Sequence, residues 1–414
     1  MTKLSGLQPV RGTHDLLPDD ARRHRHVEDT AFQVARRYGY GEIVTPIFEF
    51  TEVFARTLGE TSDVVTKEMY TFSMKEGESI TLRPEGTAGV ARAFISNGLS
   101  QSLPLKLFYR GPMFRHERPQ KGRQRQFHQV GVEFLGVADP LADVEVVSMG
   151  WRFLEALGLG GKIALELNTL GDSESREAYR SALIAYLDPF RAALSEDSRN
   201  RLDKNPLRVL DSKDEGDRKI VAGAPLMTDC LTPGARDYFD QLCQGLTAMG
   251  VPFTLNPRLV RGLDYYCHTA FEFTTTQLGA QGTVLAGGRY DGLIGQMGGP
   301  ATPGIGWAAG VERLSMLVGD VPVSERPVAI VPMGNAAQAM VLADRLRQAG
   351  IVVELGFSGN MKKRMARADK AGARAVVILG EDEMARGAVT LRNLDDGSQT
   401  EVALDDLEGR LTAS

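Results

Sequence analysis

The spacing of apolar and polar residues predicts a helix and then a strand at the start of the chain. Residues 19–38 place Val27, Phe32 and Val34 among many charged residues, a pattern typical of an amphipathic helix. The apolar stretch EIVTPIFEF (42–50) follows and predicts a strand.

Two later regions, about 80–136 and 258–310, are rich in β-branched, aromatic and glycine residues. This composition predicts an antiparallel sheet built from both regions. Between them, SESREAYRSALIAYLDPFRAALSEDSRNRLDK has a helical period and many charges. We therefore expect a helical insertion, about 171–250, that splits the sheet domain.

The last part of the chain alternates between the two kinds of element. Short apolar runs (RPVAIVPM, IVVELGF and AVVILGE) predict strands, and AAQAMVLADRLRQAG and MKKRMARADKAGAR predict helices, the first closed by Gly350. This alternation predicts a small α/β domain with a largely parallel sheet. The whole chain is then an α+β protein with a sheet domain (1–170 and 251–325), a helical insertion (171–250) and a C-terminal α/β domain (327–414).

A basic run, RHERPQKGRQRQ (115–126), stands out in a chain that is acidic as a whole. It holds five Arg or Lys and one Glu, whereas the chain has 48 basic and 53 acidic residues and a formal charge of −5. LKLFY (105–109) precedes it and FHQVGVEFLG (127–136) follows it, and both predict strands. The positive charge is therefore expected at the tip of a long hairpin.

Alternation assigns different chemistry to the two faces of the second hairpin strand. One face carries a cation, an aromatic ring, an amide, a glycine and a carboxylate: Arg125, Phe127, Gln129, Gly131 and Glu133. The other face is mostly apolar and suits a core: His128, Val130, Val132 and Phe134. The first face could hold a polyanion and a polar small molecule, because arginine binds phosphate and an aromatic ring can stack on a base. A solvated hairpin with a polar outer face is the alternative.

Two further stretches group polar residues at turns. RPEGTAGVARAF (83–94) places Glu85 beside a turn and Thr87 where a helix could begin, which is equally typical of an ordinary helix N-terminus. RLVRGLDYYCHTAFEF (258–273) crowds four functional side chains into one short turn: Arg261, Asp264, Tyr265 and Tyr266.

Glycine-rich segments follow downstream, GGRYDGLI (287–294) and PGIGWAAGVERLSMLV (303–318), the second leading into a helix that carries Arg313. Their glycines either let a ligand approach the backbone closely or serve tight sheet packing.

Composition excludes several classes of protein. The chain has 414 residues, 43% of them hydrophobic, and no apolar run approaches the roughly 20 residues of a membrane span. No apolar segment near the N-terminus suggests a signal peptide. The cysteines Cys230, Cys243 and Cys267 are scattered, so neither a disulfide framework nor a zinc site is expected, and we expect no metal ligands in the chain itself. A cytoplasmic protein without a membrane association is expected.

These segments, taken in order, resemble the histidyl-tRNA synthetase family of class II aminoacyl-tRNA synthetases over nearly the whole chain. RGTHDLLP (11–18) is similar to the family's N-terminal signature, and EIVTPIFE resembles class II motif 1. FRHERPQKGRQRQFHQVGVEFLG resembles motif 2, GIGWAAGVERL resembles motif 3, and LVRGLDYY resembles the stretch peculiar to histidyl enzymes.

The resemblance implies a fold and an activity. The fold would be a class II antiparallel catalytic sheet with a helical insertion and a C-terminal α/β anticodon-binding domain, assembled as a homodimer through the motif 1 region. The activity would be that of a histidine–tRNA ligase. L-Histidine and ATP, with Mg²⁺ accompanying the ATP, would form histidyl-adenylate and pyrophosphate, and histidine would then pass to the 3′ end of tRNA(His).

The resemblance also implies roles for individual residues. Arg115 and Arg261 would be the catalytic cations, and both would also contact histidine. The other histidine-binding residues would be Glu85, Gly86, Thr87, Gln129, Glu133, Tyr265 and Tyr266, with Glu133 and Tyr265 on the imidazole. ATP would be bound by Arg115, Glu117, Arg123, Phe127 and Arg313, with adenine between Phe127 and Arg313. The tRNA would be contacted by Gln120 in the motif 2 loop and by Lys363, Arg367, Lys370 and Arg374 at helical spacing.

Two other functions remain as alternatives. One is a non-catalytic, histidine-sensing regulatory subunit of ATP phosphoribosyltransferase, which typically lacks the anticodon domain and parts of motif 2 and RGLDYY. The other is a plain RNA-binding module, which would explain the basic segments but not the carboxylates and tyrosines grouped around one pocket.

Overall fold

The structure is a computed structural model that describes residues 7–58, 64–260, 265–279, 282–321 and 325–412. The chain forms two compact units that divide between residues 321 and 322. Among the described residues, no helix is long and apolar enough to cross a membrane.

The described strands of the N-terminal unit are β1 (Gly41–Glu42), β2 (Phe48–Phe50), β3 (Tyr70–Ser73), β4 (Ser79–Leu82), β5 (Leu105–Phe114), β6 (Gln126–Leu135), β7 (Ala164–Thr169), β8 (Thr254–Leu255), β9 (Cys267–Thr274), β10 (Thr283–Arg289) and β11 (Gly304–Gly310). Its helices are α1 (Pro18–Arg37), α2 (Thr51–Leu58), α3 (Thr87–Ser96), α4 (Pro140–Ala156), α5 (Ser173–Leu187), α6 (Glu196–Lys204), α7 (Glu215–Val221), α8 (Pro233–Ala248), α9 (Leu293–Gln296) and α10 (Val311–Leu317).

The central sheet of this unit has the strand order β1-β5-β6-β11-β10-β9-β7-β8. All pairs from β5 to β7 are antiparallel, as expected from the sequence. The two edge pairs, β1 with β5 and β7 with β8, are parallel and were not foreseen. The predicted hairpin is confirmed, since β5 and β6 pair in unbroken antiparallel register from Leu105–Leu135 to Phe114–Gln126.

The single strand predicted over 42–50 is wrong in detail. The segment divides into β1, at the edge of the central sheet, and β2, in a separate sheet of order β2-β4-β3. Pro46 lies between them and lacks the backbone N–H that a continuous strand would need for its ladder.

The largest hydrophobic core lies where helices pack against the central sheet. The predicted first helix is confirmed as α1, which begins with Pro18 and buries Val27 and Val34. These side chains join Val130 and Val132 of β6 in the same core. Since alternate residues of β6 point the other way, Phe127, Gln129 and Glu133 are directed to the opposite side of the sheet.

The helical character predicted for residues 171–250 is confirmed by α5 to α8. Helices α5, α6 and α7 surround a small core that includes Tyr179, Leu183 and Leu202. Helix α8 instead buries Phe239 and Leu242 in the core of the central sheet. The last helix of this stretch therefore packs with the sheet rather than with the other three.

The C-terminal unit is an α/β fold, as expected. Its strands are β12 (Val328–Pro332), β13 (Val353–Leu355), β14 (Ala375–Leu379), β15 (Ala388–Asn393) and β16 (Gln399–Ala403), and its helices are α11 (Ala336–Gln348), α12 (Met361–Lys370), α13 (Glu381–Ala385) and α14 (Leu407–Thr412). The sheet order is β13-β12-β14-β15-β16. Only β13, β12 and β14 are parallel, because an unforeseen antiparallel hairpin, β15–β16, completes the sheet.

Candidate functional site

A cavity of about 280 Å³ opens on the side of the central sheet that faces away from the main helical core. It is lined by the β5–β6 hairpin, the start of α3, the turn at 265–266, strands β10 and β11, and α10. The structure brings most of the predicted site residues together here: Glu85, Thr87, Arg115, Glu117, Arg123, Phe127, Gln129, Tyr265, Tyr266 and Arg313.

Glu133 is not itself a lining residue of the cavity, but it is buried against Thr87 and Tyr290, both of which line it. Its side chain is 1% exposed, and the hydroxyl of Thr87 donates to its Oε1 at 2.7 Å. The hydroxyl of Tyr290 donates to its other oxygen. Burial raises the pKa of Glu133 to about 8, although both hydrogen bonds act to lower it. The carboxyl group therefore holds a proton for most of the time at pH 7.

Tyr265 and Tyr266 close the cavity beside Glu133. Both side chains are buried, and their ring centroids lie 4.6 Å apart. Burial raises the pKa of Tyr265 well above its usual value. The Tyr265 hydroxyl is therefore a hydrogen-bond donor at physiological pH.

Glu85 lies at the N-terminus of α3 and also lines the cavity. Its carboxylate accepts hydrogen bonds from the backbone N–H groups of Thr87 at 2.6 Å and Ala88 at 2.8 Å, so it caps the first turn of α3. It also lines the cavity, and burial raises its pKa. Gly86, between these residues, has no room for a side chain, because a Cβ there would clash with the ring of Tyr109.

Gln129 has an unused acceptor. Its side-chain Oε1 is buried and has no hydrogen-bond partner among the described residues. A buried polar atom without a partner costs free energy. Because Gln129 lines the cavity close to Glu85 and Thr87, a bound hydrogen-bond donor would satisfy it.

The other end of the cavity is rich in cations. The Nε of Arg115 donates to the carbonyl of Pro84 at 2.9 Å, and its guanidinium lies 5.3 Å from the centroid of the Phe127 ring. Arg123 forms an ion pair with the buried carboxylate of Glu117. Arg115 is 3.8 Å from the same carboxylate. One carboxylate therefore partly neutralises two arginines. A phosphate that entered the cavity would compete with this carboxylate for them.

Arg313 ties the hairpin loop to the end of the sheet. Its Nε donates to the carbonyl of Gly122 at 3.1 Å and its Nη1 donates to the carbonyl of Thr283 at 2.6 Å. Burial, reinforced by the neighbouring Arg123, lowers its pKa. The side chain thus has a fixed position at the edge of the cavity rather than a free one.

Gln120 is not among the residues that line this cavity. Gln120 is exposed at the hairpin tip, where its backbone forms paired hydrogen bonds with Arg123 at 3.0 and 2.9 Å. Arg261 and Asp264 lie outside the described residues. The predicted tRNA-binding residues of the C-terminal unit, apart from Arg374, are exposed on α12: Lys363, Arg367 and Lys370.

Arg374 does not belong to that helical face. Helix α12 ends at Lys370, and Arg374 lies beyond Gly372, which has a positive φ of 67°. Its Nη2 donates to the carbonyl of Leu411 at 2.5 Å. The helical spacing that placed Arg374 beside the other cations continued the helix one turn too far.

The sequence reasoning missed several residues of the site, among them Tyr290 and Gly306. Tyr290 is 2% exposed and donates to Glu133, and it lies in the quoted segment GGRYDGLI. Gly306 of motif 3 has no room for a Cβ, which would clash with the Glu133 carboxylate. The glycine-rich composition was a usable signal for Gly306, whereas the partner of Tyr290 depends on strand order in the sheet.

Two protein-family models together match nearly the whole chain. The family model described as Histidyl-tRNA synthetase matches residues 12–314, and the model described as Anticodon binding domain matches residues 327–414. A histidine–tRNA ligase of Rhodospirillum rubrum is 64% identical over 98% of each chain. A histidine–tRNA ligase of Gluconacetobacter diazotrophicus is 60% identical over 97% of each chain.

Solved structures show the same relationship. The apo histidyl-tRNA synthetase of S. aureus superposes with a TM-score of 0.83 at 35% identity, covering 98% of this chain and 100% of that one. An ATP phosphoribosyltransferase regulatory subunit/histidyl-tRNA synthetase from Bacillus halodurans has a TM-score of 0.66 at 21% identity, covering 87% and 96% of the two chains. The latter likeness is one of fold alone.

Proposed function

Because the chain belongs to the histidyl-tRNA synthetase family, it is a histidine–tRNA ligase that activates L-histidine with ATP and transfers it to tRNA(His), and we propose that both reactants of the activation step meet in the cavity described above. One observation carries this proposal. Buried carboxylates, Glu85 and Glu133, and cations, Arg115 and Arg313, meet in a single region of the sheet.

We propose that the carboxylate end receives histidine. The α-ammonium group would donate to Glu85, to the Thr87 hydroxyl and to the unused Oε1 of Gln129, each of which lines the cavity. The imidazole would lie between Glu133 and Tyr265. Tyr266 would pack against the substrate, and Gly86 would keep the turn close to it.

The ionisation of Glu133 suits an imidazole. At pH 7 its carboxyl holds a proton for much of the time because its pKa is about 8, and a histidine ring has an ordinary pKa of about 6.5. The pair can therefore share one proton without leaving a net charge in the buried site. An amino acid that cannot make this bond would leave a buried polar group unpaired, which is how such sites reject analogues.

We propose that the cationic end receives ATP. Arg115 would contact the α-phosphate and the histidine carboxylate, and Phe127 would stack on adenine with Arg313 on the other side. Arg123 would exchange its ion pair with Glu117 for phosphate oxygens, and Glu117 would bind another part of the nucleotide. A guanidinium group suits this exchange because it binds carboxylates and phosphates in the same planar geometry.

The chemistry needs positioned charge more than proton transfer. The histidine carboxylate attacks the α-phosphorus and pyrophosphate leaves, and since the attacking group is already an anion, no general base is required. The barrier lies in bringing two anions together, so pre-placed cations supply the stabilisation. We assign this role to Arg115 and, from its place in RGLDYY, to Arg261.

The nucleotide end also suits the Mg²⁺ that accompanies ATP. Magnesium binds carboxylate and phosphate oxygens. Glu117 and Glu272 both line the cavity, and both act electrostatically on Arg313. These carboxylates would hold the ion beside the phosphates, where it supplies additional positive charge.

We propose three functional parts for the chain: a catalytic domain (1–170 and 251–325), a helical insertion (171–250) and an anticodon-binding domain (327–414). Gln120, exposed at the hairpin tip, would contact the tRNA acceptor end. We also propose a cytoplasmic location, which is supported by three free thiols, Cys230, Cys243 and Cys267.

A homodimer through the motif 1 region is also proposed. The three-stranded sheet and the residues next to its strands expose large apolar side chains: Val44 at 80%, Phe48 at 52%, Phe50 at 57%, Phe72 at 50% and Met74 at 52%. An exposed apolar patch of this kind is typical of a protein interface.

The activity is tested by ATP–pyrophosphate exchange with the purified chain and each of the twenty amino acids, without tRNA. We expect exchange with histidine alone, because the buried polar groups of the cavity fit an imidazole. A folded protein that binds histidine but supports no exchange would instead indicate the regulatory function.

We expect α12 to contribute to tRNA binding. Changing both Lys363 and Lys370 to Gln should weaken tRNA binding and lower the slope of log Kd against log salt concentration by about one for each lysine that contacts a phosphate. Filter binding over a range of salt concentrations measures both quantities.

Histidine-dependent exchange should not change in that variant. The matched control changes Arg347 and Arg386 to Gln, which removes the same charge from other exposed positions of the C-terminal unit. If the two double variants bind tRNA equally well, α12 is only a solvated face.

A further inference from the structure

Three residues from distant parts of the chain meet on the core side of the central sheet. They are His24 of α1, His128 of β6 and Glu312 of α10, named here the His–His–Glu cluster. One ligand atom from each lies within 4.8 Å of the other two. The Nδ1 of His128 is 2.9 Å from Glu312 Oε1, and the His24 and His128 rings meet edge to face with centroids 5.6 Å apart.

His24 has an unused buried nitrogen. The side chain is 8% exposed, and its Nδ1 has no hydrogen-bond partner among the described residues. A neutral imidazole nitrogen is a common ligand for transition metals.

We propose that the His–His–Glu cluster is a binding site for one divalent transition-metal ion, with His24, His128 and Glu312 as its protein ligands. Two imidazoles and a carboxylate form a ligand set that zinc and related ions accept, whereas magnesium prefers oxygen alone. A tetrahedral ion about 2.1 Å from each ligand would place the ligand atoms roughly 3.4 Å apart. The 2.9 Å contact between His128 and Glu312 would lengthen to admit the ion, and bonds to the metal would replace its hydrogen bond.

The surroundings leave room for a further ligand and a path for entry. A cavity of about 390 Å³ is lined by His24 and Glu312 together with His14 and Asp20. Arg23 also lines it, but its guanidinium is bound to Asp20 at 2.5 Å. Water can therefore reach the cluster from this side and complete the coordination.

This inference rests on the proposed function, because the site would act on the part of the fold that we propose binds ATP. Glu312 immediately precedes Arg313, and Gly122, Gln124 and Glu312 line both the active-site cavity and the cavity beside the cluster. A bound ion would fasten α1, β6 and α10 to one another behind the nucleotide end. This proposal departs from the sequence-based expectation of no metal ligands, because the three residues share no local spacing that a motif could reveal.

The test uses the full-length chain without a histidine tag, treated with EDTA and studied without ATP. Zn²⁺ is titrated against a competing chromophoric chelator, and bound zinc is counted by elemental analysis. We expect one tightly bound ion per chain. His24→Phe keeps a ring of similar size but removes a ligand, so it should weaken binding at least tenfold, about the effect of losing even an outer-shell partner.

His26→Phe is the matched control, because it makes the same change two residues away on α1. It should bind zinc like the wild type. If His24→Phe fails to fold, judged by circular dichroism, His24→Gln tests the same ligand with a polar side chain. Equal zinc affinity in the wild type and in a folded His24 variant would overturn the proposal.

Cobalt substitution identifies the ligands independently. Co²⁺ in the cluster should give visible absorption bands without a thiolate charge-transfer band, since no cysteine is among the three ligands. A thiolate band would place the metal on Cys230, Cys243 or Cys267 instead and would overturn the proposal. The proposal would also be overturned if micromolar chelator removed zinc equally from the wild type and the variants. That result would indicate an adventitious ion only.

Discussion

Replacing Arg115 with alanine is expected to slow histidyl-adenylate formation by about 10²–10³-fold, the usual cost of losing one transition-state donor. The guanidinium lies at the cavity between the α3 turn and the Phe127 ring, where it can reach both the α-phosphate and the histidine carboxylate. Its charge is needed most when the two anions approach. Single-turnover formation of adenylate, measured with saturating ATP and histidine, gives the rate.

Arg118→Ala is the control for this experiment. Arg118 is exposed on the same hairpin loop, so the change removes the same charge and should leave the rate within a few-fold of wild type. Arg115→Lys should recover only part of the activity, because an ammonium group cannot make bidentate contacts. A wild-type rate for Arg115→Ala would remove this residue from the catalytic machinery.

Changing Glu133 to Gln should lower kcat/KM for histidine by about 5–150-fold, because leaving a buried polar group unsatisfied costs about 1–3 kcal/mol. Glutamine keeps the size of the side chain and one acceptor oxygen, but it cannot share a proton with the imidazole. Most of the loss should be in KM for histidine, and KM for ATP should change little. Steady-state pyrophosphate exchange separates the two constants.

A measurement of stability checks that this variant keeps its fold. In the native protein the pKa of Glu133 is about 8, whereas an unfolded glutamate has a pKa of about 4.3. The folded state therefore binds the extra proton between these values, and the wild type loses stability as pH rises from about 4.3 to 8. Glutamine does not titrate, so Tm of the variant relative to wild type should rise over this range and level off above it.

A Tm difference that stays constant from about pH 4.3 to 8 would mean that Glu133 is ionised in the folded protein at neutral pH. A second control is Glu166→Gln, on the same sheet but outside the cavity, where the carboxylate accepts from Asn256 and Thr274. This variant should retain wild-type KM for histidine.

The spacing of apolar residues predicted correctly those helices and strands whose structure depends mainly on their own residues. The β5–β6 hairpin and α1 follow from periodicity, because each buries one regular face. The same alternation assigned Gln129 and Glu133 to one face of β6 and Val130 and Val132 to the other, and the structure has this arrangement.

The spacing of apolar residues gave wrong predictions where the structure depends on which strands pair or on an adjoining turn. The segment over 42–50 was divided between two sheets, and the β15–β16 hairpin joined a sheet that was expected to be largely parallel. The end of α12 depends on the turn at Gly372, which removed Arg374 from the basic face. For 42–50 the pairing partners, β5 and β4, lie far away along the chain. For β15–β16 and the end of α12 the cause is a local turn, which hydrophobic periodicity does not describe.

The sequence by itself determined which family the chain resembles and which residues face the site, because ordered motifs and strand alternation are written in the chain. Tertiary structure alone decided how those residues are charged and paired. Burial, which depends on the whole sheet, raised the pKa of Glu133. The strand order of the sheet placed Tyr290 against its carboxyl group. The packing of α1 and α10 against β6 brought His24, His128 and Glu312 together, since contacts between distant elements arise only when the core is formed.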